Sequence, residues 1–195
     1  EMVQLRDPQR CLKQYPHELS GGMRQRIMIA MALSCKPALL IADEPTTALD
    51  VTVQDEIIQL LRDLSEQTDT SIILITHDLA IVAEFAEVVA VLYAGEILEL
   101  GSALSLFERP RHPYTEDLLH SIPRVDLPPS ARLHSIPGQI PLPGAQPTGC
   151  IYADRCTIAV DRCRAEKPRL EELDSGRHQA ACWFLDRDRR PTREH

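Results

Sequence analysis

Apolar and polar positions along this chain follow two periods in turn. Glu1 to Arg6 and Gln9 to Tyr15 have helical composition, interrupted by Asp7-Pro8 and closed by Pro16. From Met23 the apolar residues Met23, Ile27, Ala30, Met31 and Leu33 recur at helical spacing, with the methionines and alanines expected in the core. Arg24, Gln25 and Arg26 mark the polar side. Ala38 to Ala42 is a short run without a polar residue, as in a central strand of a parallel sheet covered on both faces. Val51 to Glu66 returns to the helical period, with Ile57, Leu61 and Leu64 on one face, and Ile72 to Thr76 is a second apolar strand. Strand, helix and strand in this order predict a right-handed crossover between parallel strands. Asp78 is placed to cap a helix running to about Phe85. Val88 to Tyr93 and Glu96 to Leu100 flank Ala94-Gly95, a hairpin expected to add an antiparallel edge to the same sheet. The fold class is therefore α/β with a mostly parallel sheet.

After Gly101 the pattern changes. Ser102 to Glu108 and Tyr114 to Ser121 are short helical stretches, but nine prolines lie between Pro110 and Pro147. That density excludes a long helix or a central strand and predicts an extended strap. Two regions are expected, residues 1–101 and an irregular Pro- and Cys-rich extension, residues 102–195.

The candidate chemistry sits in the first region. Ser20-Gly21-Gly22 leads into the first long helix. Ser20 is a good N-cap, the glycines leave the backbone open to close approach, and the free N–H groups of a first helical turn suit a phosphate. Asp43 and Glu44 emerge from the end of the first apolar strand, and paired carboxylates there suit a metal ion and a polarised water. His77 follows the second strand, so the crossover brings Glu44 and His77 to the carboxyl ends of neighbouring strands, where open α/β sheets bind ligands. An anion site beside a metal-plus-base site points to nucleotide hydrolysis. Asp50 suits the N-cap of the helix from Val51. His17, with no partner at ligand spacing, is a solvated loop residue.

LSGGMRQR (Leu19 to Arg26), LLIADE (Leu39 to Glu44), Ala48-Leu49-Asp50 and His77 after Ser71 to Thr76 resemble, in order and spacing, the signature, Walker B, D-loop and switch histidine of ABC-type ATPases. His112-Pro113-Tyr114-Thr115 and the run from Ile136 to Cys150 resemble the C-terminal extension of oligopeptide and dipeptide importer ATPases. The resemblance implies the C-terminal part of a P-loop NTPase with ATP and Mg²⁺ as cofactors. It implies that Ser20, Gly21 and Gly22, with Gln25 beside them, meet the γ-phosphate across a head-to-tail dimer. Asp43 would hold Mg²⁺ through water, Glu44 would act as general base, His77 would bridge to the γ-phosphate, and Asp50 would link the two sites. The implied partners are a second ABC ATPase subunit, two transmembrane permease subunits and an extracytoplasmic solute-binding protein, with the ATPase peripheral on the cytoplasmic face of the membrane. No glycine in the chain is followed by lysine, so the G-x-x-x-x-G-K-[ST] phosphate loop is lacking and the chain is expected to be the second part of a longer ATPase, inactive by itself.

A net charge of −8 argues against a nucleic-acid partner, and no run approaches the ~18 apolar residues of a membrane span. Membrane association is thus expected through a partner. Cys11 and Cys35 are ordinary thiols of the first region, whereas Cys150, Cys156, Cys163 and Cys182 cluster in the second. Gathered cysteines outside an oxidising compartment suggest a metal or free thiols, and four could bind zinc or a [4Fe–4S] cluster. The gaps are wider than in zinc ribbons, and the family resemblance favours the iron–sulfur cluster. Two other readings stand beside the transporter ATPase: a metal-cluster-binding regulatory or dimerisation module with a non-catalytic ATPase remnant, and a non-transport ABC ATPase.

Overall fold

A computed structural model describes residues 2–122, 134–173 and 178–185, in two compact units that divide between Phe85 and Ala86. In the first unit, among the described residues 2–15, the expected helical stretches yield only α1, Pro8–Cys11, where Asp7 turns the chain at φ 51° and its side chain accepts from the Arg10 N–H. Ser20 then caps α2, Gly21–Leu33, its Oγ accepting from the Met23 N–H at 3.3 Å.

The inward face of α2 differs from the expected one. Ile29 and Leu33 are buried, while Met28 and Met31 are exposed, 62% and 69%. This helix is apolar on nearly every side, so spacing alone leaves its phase open, and the buried face is set by α3. Arg26 also departs from the polar side. Its guanidinium is largely buried, pairing with Glu56 at 2.8 Å and donating to the Val3 carbonyl at 3.1 Å.

Strand β1, Leu39–Asp43, pairs in parallel with β2, Ser71–Ile75, across α3, Val51–Gln67, and the register sets Asp43 opposite Ile75. Asp50 caps α3 through its Oδ1 to the Val53 N–H, 3.1 Å. Ile57, Leu60, Leu61 and Leu64 of α3 fill the core against Leu40, Ala42, Ile72 and Leu74 of the sheet. Each such side chain contributes about 1.5–3 kcal/mol on burial. The other sheet face, Leu39, Ile41, Ile73 and Ile75, is exposed, so among the described residues the strands are covered on one side, not both. Helix α4, Leu79–Phe85, starts where Asp78 Oδ1 accepts from the N–H groups of Ala80 and Ile81.

In the second unit β3, Val88–Tyr93, and β4, Glu96–Ser102, form the expected hairpin. Ala94 and Gly95 both take positive φ, 47° and 85°, the geometry that a two-residue turn of matching twist requires. The hairpin does not extend the parallel pair. It belongs to a separate antiparallel sheet, in which its second strand pairs with residues of the extension. Short helices α5, Ala103–Glu108, α6, Pro113–His120, and α7, Asp161–Ala165, precede β5, Glu171–Leu173, and β6, His178–Ala180; the sheet order is β3-β4-β6-β5. Between Pro110 and Pro147 the expected strap is interrupted by α6; residues 134–147 carry no helix or strand, and residues 123–133 lie outside the described set.

This unit is organised around buried polar groups. Glu99, fully buried, accepts from the backbone N–H groups of Arg111 at 2.7 Å and His112 at 2.9 Å, and His178 Nε2 lies 2.7 Å from its Oε1. The Tyr152 hydroxyl donates to Asp117 at 2.6 Å, within a ring cluster that includes Tyr93 and Tyr114. Burial first, and the Asp117 bond second, push the Tyr152 phenol far above its ordinary range.

Candidate functional site at the strand ends

Parallel pairing delivers Glu44 and His77 to adjoining strand ends. The Glu44 N–H donates to the Ile75 carbonyl at 2.8 Å, continuing the ladder one residue past Asp43. Glu44 itself sits at φ 44°, an uncommon backbone conformation for a glutamate and one found where a side chain must be aimed out of a strand's line. Its Oε1 lies 3.2 Å from His77 Nδ1, and its Oε2 accepts from the Thr47 hydroxyl at 2.8 Å. The Thr47 bond, and after it the His77 bond, hold the Glu44 carboxyl below its usual range. These groups line an open cavity of about 250 Å³ with Leu49, Gln54 and Asp78. Gln54 Nε2 donates to Asp78 Oδ2 at 3.3 Å on its floor.

The other predicted residues lie elsewhere. Ser20, Gly21, Gly22 and Gln25 occupy the start of α2, and Asp43 ends β1 with its side chain exposed; none of them lines this cavity, nor does Asp50. The glycines have a reason inside the chain. A Cβ at Gly21 would stand 3.0 Å from a Leu49 methyl, and one at Gly22 would stand 2.6 Å from Val53 Cγ1. What approaches these glycines is therefore the turn before α3 and its first residues. Ser20 Oγ spends an acceptor position on the cap, which leaves its hydroxyl hydrogen to donate. Thr47, Gln54 and Asp78 were not legible as site residues, since a threonine in a turn and a polar pair on helix starts carry no spacing signal.

In the second unit the four clustered cysteines do converge. Cys150, Cys156, Cys163 and Cys182 line one apolar cavity of about 10 Å³ with Tyr152 and Trp183. That is about the lower limit for one water. The Cys150 N–H donates to the Cys163 carbonyl at 2.7 Å, and a Cβ at Gly149 would run into the carbonyl oxygens of Cys163 and Arg164. Burial pushes the Cys156 thiol up to about 12 and the Cys150 thiol upward, so both are neutral thiols here. Among the described residues no three His, Cys, Asp or Glu side chains are arranged to hold a metal ion.

Comparison with known proteins agrees with these motifs. Residues 1–47 match the family model "ABC transporter", and residues 98–163 match "Oligopeptide/dipeptide transporter, C-terminal region". The chain belongs to the ABC ATPases. Over 190 residues it is 51% identical to the dipeptide transport ATP-binding protein DppD of Escherichia coli, covering 97% of this chain and 58% of that protein. Over 177 residues it is 51% identical to the oligopeptide transport ATP-binding protein AppD of Bacillus subtilis, covering 91% of this chain and 54% of that protein. Within the ABC ATPases, then, it belongs to the oligopeptide/dipeptide transport branch, and it spans somewhat more than half the length of these curated relatives. A solved dimeric structure of a bacterial ABC transporter cassette aligns with 52% of this chain and 43% of its own at 36% identity, with a TM-score of 0.46. No helix among the described residues is long and apolar enough to cross a membrane.

Proposed function

We propose that the intact protein hydrolyses ATP with Mg²⁺ and so powers an ABC importer of peptides or related small solutes. The observation that carries this reading is the contact of Glu44 with His77 at adjoining ends of parallel strands, above a cavity open to a ligand. Glu44 accepts a proton from the attacking water as general base. His77 orients that carboxylate and turns toward the γ-phosphate. Asp43, an exposed carboxylate at the strand's carboxyl end, has the hard oxygen donors that Mg²⁺ takes, directly or through water. Mg²⁺ supplies neutralisation of phosphate charge when bound.

The start of α2 serves a second nucleotide in a head-to-tail dimer. There the Ser20 hydroxyl and the first-turn N–H groups of Gly21 and Gly22 donate to phosphate oxygens, with Gln25 beside them. Asp50, at the turn on which those glycines pack, links the two sites. The partners are a second ATPase subunit, identical or homologous, two transmembrane permease subunits and an extracytoplasmic solute-binding protein, and the ATPase rides on the cytoplasmic face of the membrane. In the full-length subunit Glu44→Gln lowers turnover by more than about 10²-fold while ATP still binds. Undiminished hydrolysis would remove Glu44 from this role.

A second element of the reading concerns the four cysteines, which share one cavity. Thiols of this number suit an iron–sulfur cluster in donor chemistry, although the cavity in its present form lacks the room. No step of hydrolysis passes through such a group. Anaerobic reconstitution of the full-length subunit with iron and sulfide, read by visible absorbance and iron content, tests it; absence of bound iron refutes it.

A further inference from the structure

We infer that Thr47 is a positioning residue for the hydrolytic reaction, its hydroxyl holding the Glu44 carboxylate in the one orientation that leaves Oε1 facing His77 and the cavity. This rests on the reading of Glu44 as the base. Glu44 leaves the strand at positive φ, so its side chain is aimed by the backbone of a turn and not by packing against the sheet. That turn closes through the Thr47 N–H to the Glu44 carbonyl at 3.2 Å, and the same residue returns its hydroxyl to Glu44 Oε2 at 2.8 Å. One carboxylate oxygen is thereby tied within the turn, and the other meets His77 Nδ1 at 3.2 Å. A carboxylate with only the histidine contact would rotate freely about its last bonds, since the Glu44 side chain is 47% exposed and has little packing to restrain it. Thr46, by contrast, is buried, and the hydroxyl that Glu44 Oε2 accepts from is that of Thr47.

The full-length subunit in its transport complex provides the test. Thr47→Val keeps the shape and removes the donor; kcat falls about tenfold while KM for ATP stays within about twofold, because the bond orients the base and does not bind substrate. Thr47→Ser restores kcat to within about twofold of the parent. Placed on a Glu44→Ala background, Thr47→Val produces no further loss of residual turnover. An unchanged kcat in Thr47→Val, a failed serine rescue, or an equal loss on the Glu44→Ala background each overturns the assignment. Full activity of Glu44→Gln would instead sink the underlying reading, so the two failures are distinguishable.

Discussion

Each unit of this protein sets a glutamate against a histidine, and the two pairs live under opposite physics. Glu44 and His77 meet at 3.2 Å with side chains 47% and 81% exposed. Glu99 and His178 meet at 2.7 Å with side chains 0% and 6% exposed. Water screens the first pair and competes for it, so its contribution to stability is small and its groups stay available to a ligand. The second pair has given up its water, and the backbone N–H groups of Arg111 and His112 together with the His178 ring take the place of that water around Glu99. A group poised for chemistry and a group spent on architecture thus share a chemistry and differ in solvation.

The sharpest break of this comparison is Glu99→Ala. It strands His178 and two backbone N–H groups in a dry interior and costs about 3–5 kcal/mol, read from the urea midpoint of the second unit by its tryptophan, Trp183. A loss below about 1 kcal/mol would mean that water reaches the pair. Next comes Tyr152→Phe, which leaves Asp117 Oδ2 without its hydroxyl donor and costs about 1–3 kcal/mol in the same measurement. Thiol reactivity then separates the units in kinetics: in the metal-free chain exposed Cys35 is alkylated more than about tenfold faster than Cys156, whose thiol burial keeps neutral. Equal rates would show that the cysteine cavity opens readily. The smallest effect belongs to His77→Ala, which changes folding stability by no more than about 0.5 kcal/mol. A larger loss would put His77 in the architecture and dissolve the contrast with His178.

Much of the first unit is written in local pattern. The caps Ser20, Asp50 and Asp78 each accept the backbone N–H groups that their positions promise, and the apolar runs before Asp43 and His77 become the paired strands. Pattern fails where a choice depends on a distant partner. Met31 was expected inside and is outside, because the phase of an all-round apolar helix is set by what packs on it. The hairpin was expected on the parallel sheet and pairs with β6, since an edge strand's hydrogen bonds go to whichever neighbour the chain delivers.

By itself the amino-acid order determined the long elements of the first unit, their caps and the identity of the groups at the strand ends, because these follow from propensities and spacing within a few residues. Only the tertiary structure decided that Thr47 reaches the Glu44 carboxylate, that Arg26 turns inward to Glu56, that Glu99 is the keystone of the second unit and that four cysteines separated in sequence face one cavity. Those outcomes depend on which surfaces lose their water, and desolvation is a property of the folded whole.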